Sequence, residues 1–384
     1  MHLPNYHNGS IVNLMSSLLQ AFGGTSAYNP LELLPPSELE SVKNVILFVI
    51  DGFGYNYLLH QTPDTFFHKH LQGKITSVFP STTASGITTF LTGLAPQQHA
   101  VTGWFMHLKE IGSVAVSLRF QPRCCEASLR KDGVSPETVF GNANIYQQIQ
   151  RQSYSFHHRE IAGSDYNTRI NQCPQKLSFT TMNGCLRQLK QTMIANHEKK
   201  FLYAYWGNFD ELCHEHGTRS QQVNAHYQEL VKKFTAFAQA IRGTDTLLLI
   251  TADHGLIDTA PGKIIEMKMH PTLRETLILP LCGEPRVAYC YVRPSKTQQF
   301  ERYIQQHFRG MCDLYRSEEL IERKYFGLFA PDSRLHDRIG DYVLIMRDNY
   351  IIKDFLLGEE EKMHLANHGG LSAEEMFIPL IVVK

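Results

Sequence analysis

The apolar run Thr246 to Ala252 stops at Asp253-His254, and three other apolar runs of this chain also stop at residues able to bind a metal ion or carry a reaction. Asn44 to Ile50 ends in Asp51-Gly52, Phe201 to Trp206 is followed by Asp210 and His214, and Ile75 to Phe79 leads into Pro80-Ser81-Thr82-Thr83. A fifth piece, Asn367-His368-Gly369-Gly370, precedes the closing run Phe377 to Val383. Short continuous apolar runs bounded by turn residues read as strands buried on both faces, the pattern of a parallel sheet between helices. Such sheets collect ligands beyond the carboxyl ends of their strands. The acids and imidazoles therefore stand where function, rather than packing, is expected. The expected fold class is α/β, with a mostly parallel central sheet flanked by helices.

A chain of 384 residues holds two or three domains, or one large α/β core with an insertion. The 37 lysines and arginines balance the 37 aspartates and glutamates, so no global field favours a nucleic-acid polymer or an anionic membrane. No apolar stretch approaches the ~20 residues of a membrane span, and the start, Met1 to His7, lacks a charged region followed by an apolar segment. The eight cysteines form no CxxC pair or regular framework, which favours reduced thiols. A cytoplasmic setting is expected, with secretion lacking a cleavable signal the other possibility. The sequence sets no oligomeric state.

Ile11 to Phe22 has helical spacing, and Pro30 to Pro36 connects it to the first strand. Ala84 to Leu91, Glu137 to Arg151, Met182 to His197 and Asn224 to Arg242 read as helices, and Tyr154 to Ile161 as extended. The apolar positions Leu230, Val231, Phe234, Phe237, Ala238 and Ile241 make one core-facing stripe. Between Asp253-His254 and His368 the texture changes: Arg286 to Val292 and Tyr342 to Met346 are expected extended, Thr297 to Phe308 and Ser317 to Ile321 helical. The expected organisation is a core over 40–259 and 366–384, an inserted α+β cap over 260–365, and an N-terminal helix and connector over 1–39 packed on the core.

Aspartate and neutral histidine are oxygen and nitrogen ligands suited to zinc, with manganese or iron the alternatives, and no cysteine cluster suggests a structural zinc site. Six such residues suit two metals. Asp210 and His214, one helical turn apart, can face one ion. Adjacent Asp253 and His254 can point in different directions. Two ions ~4 Å apart clamp the attacking and leaving oxygens of an in-line displacement at phosphorus. Thr83 follows a turn and starts a helix, where amide dipoles and nearby cations ease ionisation of its hydroxyl. It is the expected nucleophile, with Thr82 second.

The pattern resembles the alkaline phosphatase superfamily, and most closely its nucleotide pyrophosphatase/phosphodiesterase branch, over Val45 to Gly103, Phe201 to Gly217, Leu247 to Ile257 and His368 to Val383, in that order. The resemblance implies a first divalent ion held by Asp210, His214 and His368. It implies a second held by Asp51, Asp253 and His254, with Thr83 bridging toward it and attacking phosphorus to give a phospho-threonine. The implied substrate is a small phosphoester. Nucleotide-cleaving relatives carry an aromatic just after the threonine and an asparagine downstream that helps hold a phosphate oxygen; here those positions read as Ala84 and Trp104. Trp104 or Phe105 is the candidate aromatic wall in compensation.

Each residue also has a plainer reading. Asp51-Gly52 alone is a turn, Thr83 alone a helix cap, and Asn367-His368-Gly-Gly alone a loop. With 19 histidines, most cannot be ligands, and His216, His99, His107, His270 and His364 are left without a role. Arg123, Arg159 and Lys263 read as surface charge. Asp253-His254 resists the plain reading, because a charge and an imidazole directly after Leu-Leu-Leu-Ile-Thr-Ala would enter a buried region without partners. The alternatives on the same core are a phosphonoacetate-type phosphonate hydrolase or a phosphomonoesterase, with a phosphoglycerate-mutase-type reaction further off. The alternative of another class is a catalytically silent metal-binding protein.

Overall fold

The computed structural model describes every residue except Asn142. A seven-stranded central sheet comprises β1 (Asn44–Ile50), β2 (Leu71–Thr76), β3 (Gln152–His158), β4 (Gln175–Phe179), β5 (Lys200–Trp206), β6 (Thr246–Thr251) and β7 (Phe377–Val383), in the order β2-β7-β6-β1-β5-β3-β4. The pairs β1–β5, β1–β6, β3–β5 and β3–β4 are parallel, while β7 runs antiparallel to both β2 and β6. Two reversals restore direction, so β2 points the same way as β6. Only β7 is reversed, and its start therefore lies at the edge where the other strands end.

β1 is buried along its whole length, which explains why its sequence is apolar from Val45 to Ile50 instead of alternating. Helices cover the faces: α1 (Ile11–Ala21), α2 (Thr83–Thr92), α3 (Met182–Ile194), α4 (Asn208–His216) and α5 (Gln221–Ile241). The Ser220 side chain caps α5 by accepting from Val223 N at 3.2 Å. The stripe expected on α5 is buried at Leu230, Phe234, Phe237 and Ile241 and half-buried at Val231 and Ala238. Phe234 meets Phe48 of β1 edge-on with centroids 4.9 Å apart, a contact that fixes the helix on the sheet.

A second seven-stranded sheet is antiparallel throughout. Four strands, Cys282–Glu284, Val287–Cys290, Cys312–Arg316 and Tyr342–Met346, come from the stretch expected as an inserted cap. The other three, Phe105–Leu108, Ser113–Val116 and Gln121–Pro122, come from chain that precedes β3. The junction is the pairing of Gly283 with Phe105.

Two sequence expectations need correction. Glu137 to Arg151 is not one helix: a turn over Pro136–Val139 and a 3-10 turn over Ile145–Gln147 are separated by chain without helical structure, with Asn142 outside the described residues. Asn144 Oδ1 accepts from Tyr146 N at 2.8 Å, the local bond by which asparagine competes with a continuing helix. Extended structure in the run expected over Tyr154 to Ile161 stops at His158, and Arg159–Ala162 is helical. Among the described residues no helix is long and apolar enough to cross a membrane.

Two buried core histidines make stability depend on pH. His157 Nε2 accepts from Asn171 Nδ2 at 2.9 Å, and His99 Nδ1 accepts from Val101 N at 3.0 Å. Burial holds both pKa values down at about 3. The folded state thus binds fewer protons than the unfolded chain, whose histidines titrate near 6.5, so stability is present above that pH and is lost as pH falls toward 3. Urea unfolding in EDTA is expected to show a loss of up to about 1.4 kcal/mol per pH unit for each histidine. His157→Asn should remove its share of that slope, and an unchanged slope would refute the assignment.

Candidate active site

Parallel register sets the site. Val49 lies between Tyr205 of β5 and Thr251 of β6, so the residues just past these strands emerge side by side. Asp51 follows β1 and Asp253 and His254 follow β6, while Asp210 and His214 lie on α4 directly after β5. At Gly52 the backbone has φ +70, and a Cβ there would lie 2.5 Å from Leu256 Cδ1 and 3.0 Å from Asp210. Gly86 lets α2 approach the same corner, since a Cβ on it would be 2.7 Å from that of Asp253.

His368 arrives by a different route. Ile257–Asp258 pairs with Ala366–Asn367, and Ser81 bridges to Gly369, which ties the loop before β7 to both the Asp253 turn and the Thr83 turn. Behind it, buried Glu375 accepts from Gly370 N at 2.7 Å and pairs with buried Arg286 at 2.9 Å. The reversed direction of β7 is what delivers this loop to the shared edge.

Asp51, Asp210, Asp253, His254 and His368 are buried, and the ligand atoms form two contiguous clusters: Asp51 with Asp253 and His254, and Asp210 with His254 and His368, each within 4.8 Å. His214 joins the second through Nε2, 3.1 Å from Asp210 Oδ2. His214 Nδ1 is 2.7 Å from Ala366 O and His254 Nδ1 is 3.1 Å from Gly255 O, so a proton on each Nδ1 directs the Nε2 lone pair into the site. There His254 Nε2 meets Thr83 Oγ1 at 3.1 Å, Asp51 Oδ1 at 3.3 Å and Asp253 Oδ2 at 3.5 Å. Lone pairs facing carboxylates need a proton or a cation between them. Asp210 Oδ1, Asp253 Oδ2 and His368 Nδ1 are buried with no hydrogen-bond partner. Orphaned oxygen and nitrogen donors facing one another suit divalent metal, with the charge and donor set appropriate to it.

The electrostatics agree. Burial, reinforced by Asp253 and Asp210, pushes the Asp51 carboxyl well up, and Asp253 is also raised by burial, with neighbouring His254 opposing. Burial would raise Asp210 too, but His214, His368 and His254 around it hold it below the usual carboxylate range. Burial drives His368 well down, and Asp210 raises His214 against the effect of burial. Without cations the cluster cannot carry all its charges cheaply.

Thr83 is the first residue of α2, and its hydroxyl is 3.4 and 3.5 Å from the two Asp51 oxygens. Thr82 is otherwise engaged: its hydroxyl donates to buried Glu284 at 2.6 Å. Trp104 N donates to the same carboxylate oxygen at 2.7 Å, and the half-buried Trp104 ring lies under Arg119 at 5.6 Å. The Phe105 ring is covered by the Arg123 guanidinium at 4.1 Å. Arg123, expected on the surface, is buried and paired with Glu359 at 2.8 Å.

Sequence reasoning missed three neighbours. The Tyr205 hydroxyl donates to Asp51 Oδ2, and burial and Asp51 push its pKa well up. Glu284 links the Thr82 turn to Trp104. The His364 ring lies 4.3 Å from that of His214. Tyr205 was findable as the inward tyrosine at the carboxyl end of β5; Glu284 and His364 sit in segments whose sequences point nowhere. A cavity of about 810 Å³ is at the opposite edge of the sheet, lined by Phe66, Val231, Thr246 and Lys384. It touches none of these groups.

Comparison with known proteins fits this geometry. The profile of the type I phosphodiesterase/nucleotide pyrophosphatase family matches residues 45–371. The murine ectonucleotide pyrophosphatase/phosphodiesterase 5 superposes with TM-score 0.67 at 19% identity, over 88% of this chain and 87% of that one. The human counterpart gives 0.65 at 18% identity, over 88% and 87%. Phosphonoacetate hydrolase from Sinorhizobium meliloti 1021, in complex with phosphonoformate, gives 0.63 at 15% identity, over 89% and 90%. No curated protein sequence matches. With the family profile covering most of the sequence, the chain belongs to the type I phosphodiesterase/nucleotide pyrophosphatase family of the alkaline phosphatase superfamily and is a phosphoester hydrolase.

Proposed function

We propose that this protein hydrolyses phosphodiester or pyrophosphate bonds of small molecules through a covalent phospho-threonine. The observation that carries the reading is the Thr83 hydroxyl, 3.1 Å from His254 Nε2 and beside Asp51, at the N-terminus of α2. Asp210, His214 and His368 would hold one divalent ion and Asp51, Asp253 and His254 a second, with zinc the best match to carboxylate and imidazole donors. Ions there would supply positive charge that eases ionisation of the hydroxyl and offsets charge on the phosphoryl oxygens.

The chain's own residues do the rest. Thr83 Oγ1 attacks phosphorus in line, its bond to phosphorus forms as the bond to the leaving oxygen breaks, and water later hydrolyses the phospho-threonine. Tyr205 orients Asp51 through its hydroxyl, and Glu284 holds the Thr82 turn so that Thr83 faces the acids. The amide ends of α2 favour negative charge at its first residue. Trp104 is retained as the candidate aromatic wall over Phe105, whose face Arg123 already covers. Among the structural relatives, a murine threonine-to-alanine variant is described as inactive and in complex with AMP. That description supports assigning the nucleophile to a threonine.

Zinc-loaded protein assayed on bis-p-nitrophenyl phosphate, a nucleotide phosphodiester, p-nitrophenyl phosphate and phosphonoacetate tests the reading. The diesters are expected to be preferred by at least about tenfold in kcat/KM, a difference of about 1.4 kcal/mol. Preference for the monoester or for phosphonoacetate would replace the reading by the corresponding hydrolase, and metal-loaded protein without turnover on any of them would favour the silent binder.

A further inference from the structure

His364 lies beside the Asp210–His214 pair, in a segment whose backbone is anchored from several directions. Its carbonyl accepts from Asn367 Nδ2 at 3.1 Å, and the same amide reaches Thr259 Oγ1 at 3.0 Å. The next residue, Leu365, donates its N–H to His214 O at 2.9 Å and accepts from Thr259 N at 2.8 Å. Met363 and Leu365 are exposed, whereas the His364 ring is half-buried and turns inward onto the ring of His214.

Four imidazoles thus stand in a row. Ring centroids are 4.3 Å apart from His364 to His214, 5.1 Å from His214 to His368 and 4.0 Å from His368 to His254. The inner three belong to the ligand sets proposed above; His364 is outermost and belongs to neither. His214 Nδ1 is committed to Ala366 O, but among the described residues no hydrogen bond reaches either ring nitrogen of His364. An imidazole carries at least one N–H donor in either protonation state. Held on an anchored backbone beside the reacting groups, that donor is free for a ligand acceptor.

The direction of attack says which acceptor. Thr83 Oγ1 stands on the Asp51–His254 side, and in-line displacement sends the leaving oxygen to the opposite side, toward Asp210 and His214. His364 borders that exit through its contact with His214. A donor there gains most where the departing oxygen gathers most charge, which is the case for a basic alcohol rather than for an activated phenol.

We infer that His364 is a catalytic residue that donates a hydrogen bond to the leaving oxygen, and that it fits the enzyme to esters of basic alcohols. The inference rests on the phosphodiesterase reading above and names the leaving group of that reaction. The bond from Thr83 Oγ1 to phosphorus forms as the bond to the leaving oxygen breaks. The electron pair stays on that oxygen, which accepts the hydrogen bond and takes a proton from solvent after it departs.

The test uses the full chain with zinc and the variants His364→Phe, which keeps a ring against His214, and His364→Gln, which keeps an N–H donor. The substrates are p-nitrophenyl, p-chlorophenyl and unsubstituted phenyl methyl phosphate, in order of increasing leaving-group basicity, measured as kcat/KM. His364→Phe is expected to lose less than about threefold on the p-nitrophenyl ester and about 10- to 100-fold on the phenyl ester, the scale of one hydrogen bond to a charged oxygen. His364→Gln should recover most of the loss, and zinc content should match wild type in both variants. A second readout needs no turnover. In zinc-loaded Thr83→Ala protein, the ring-nitrogen NMR resonance that His364→Phe lacks should shift when phenyl methyl phosphate binds. Equal losses on all three esters, no loss, or an unmoved resonance would overturn the inference, and equal losses together with lost zinc would make His364 a support for His214 instead. Absence of turnover on every ester in zinc-loaded wild type would end the phosphodiesterase reading, and with it any leaving-group role, whatever the resonance does.

Discussion

Thr83→Ala is expected to lower kcat by at least about 10³-fold, the scale seen when a covalent nucleophile is removed, while the bound metal content stays at the wild-type value. The separation of the two readouts follows from the geometry. Thr83 offers one hydroxyl to a site whose other donors are three carboxylates and three imidazoles, so its loss removes the attacking oxygen and little of the charge that would hold cations. Thr83→Ser should keep much of the rate, because the hydroxyl remains at the start of α2. Thr82→Ala is the control: its hydroxyl is committed to Glu284, so a modest loss through a looser turn is expected. Full activity in Thr83→Ala, or an equal collapse in Thr82→Ala, would end the nucleophile assignment. Loss of metal along with activity would recast Thr83 as chiefly a ligand.

The second large effect is expected at Asp253. Its Oδ1 accepts from Gly52 N at 3.2 Å and from His254 N at 3.1 Å, bonds that an asparagine oxygen can keep. Its Oδ2 is buried without a partner beside Asp51 and His254, and an amide there withdraws an anion from the cluster. Asp253→Asn should therefore bind at least one divalent ion fewer per chain by mass spectrometry and lose about 10²-fold or more in turnover. EDTA should abolish the wild-type reaction outright. Stability should move the other way. Burial, opposed by His254 and reinforced by Asp210, raises the Asp253 pKa, so in metal-free protein the ionised group is unfavourable, and stability falls as pH rises from the usual carboxylate range through the raised pKa. Asp253→Asn removes that loss, and the metal-free variant at pH 7 should be more stable than metal-free wild type by about 1–3 kcal/mol. Undiminished metal binding, or a less stable metal-free variant, would contradict the assignment of Asp253 as a ligand held against its own burial cost.

Much of this was legible because the central strands are buried on both faces. β1, β5 and β6 had to be continuous apolar runs, and a polar residue closing such a run is conspicuous. Asp51, Asp210, Asp253 and His254 could thus be read off as residues at strand ends. The same logic fails where burial is one-sided or structure is local. Glu137 to Arg151 carries apolar residues at helical spacing, yet Asn144 and its neighbours make local bonds that divide it. In the second sheet, strands as short as Gln121–Pro122 and Cys282–Glu284 leave no periodic trace.

The sequence by itself determined the parallel α/β core and the identity of the acids and imidazoles, since apolar burial and the ends of buried strands are written in the order of residues. Only the tertiary structure decided that β7 runs backward and so carries His368 to the shared edge. It alone joined the 105–122 ribbon to the later strands through Gly283 and Phe105, and turned Glu284 and Tyr205 toward the site. Those outcomes depend on pairings between segments far apart in the chain, where the free energy of contact, and no local pattern, selects the partner.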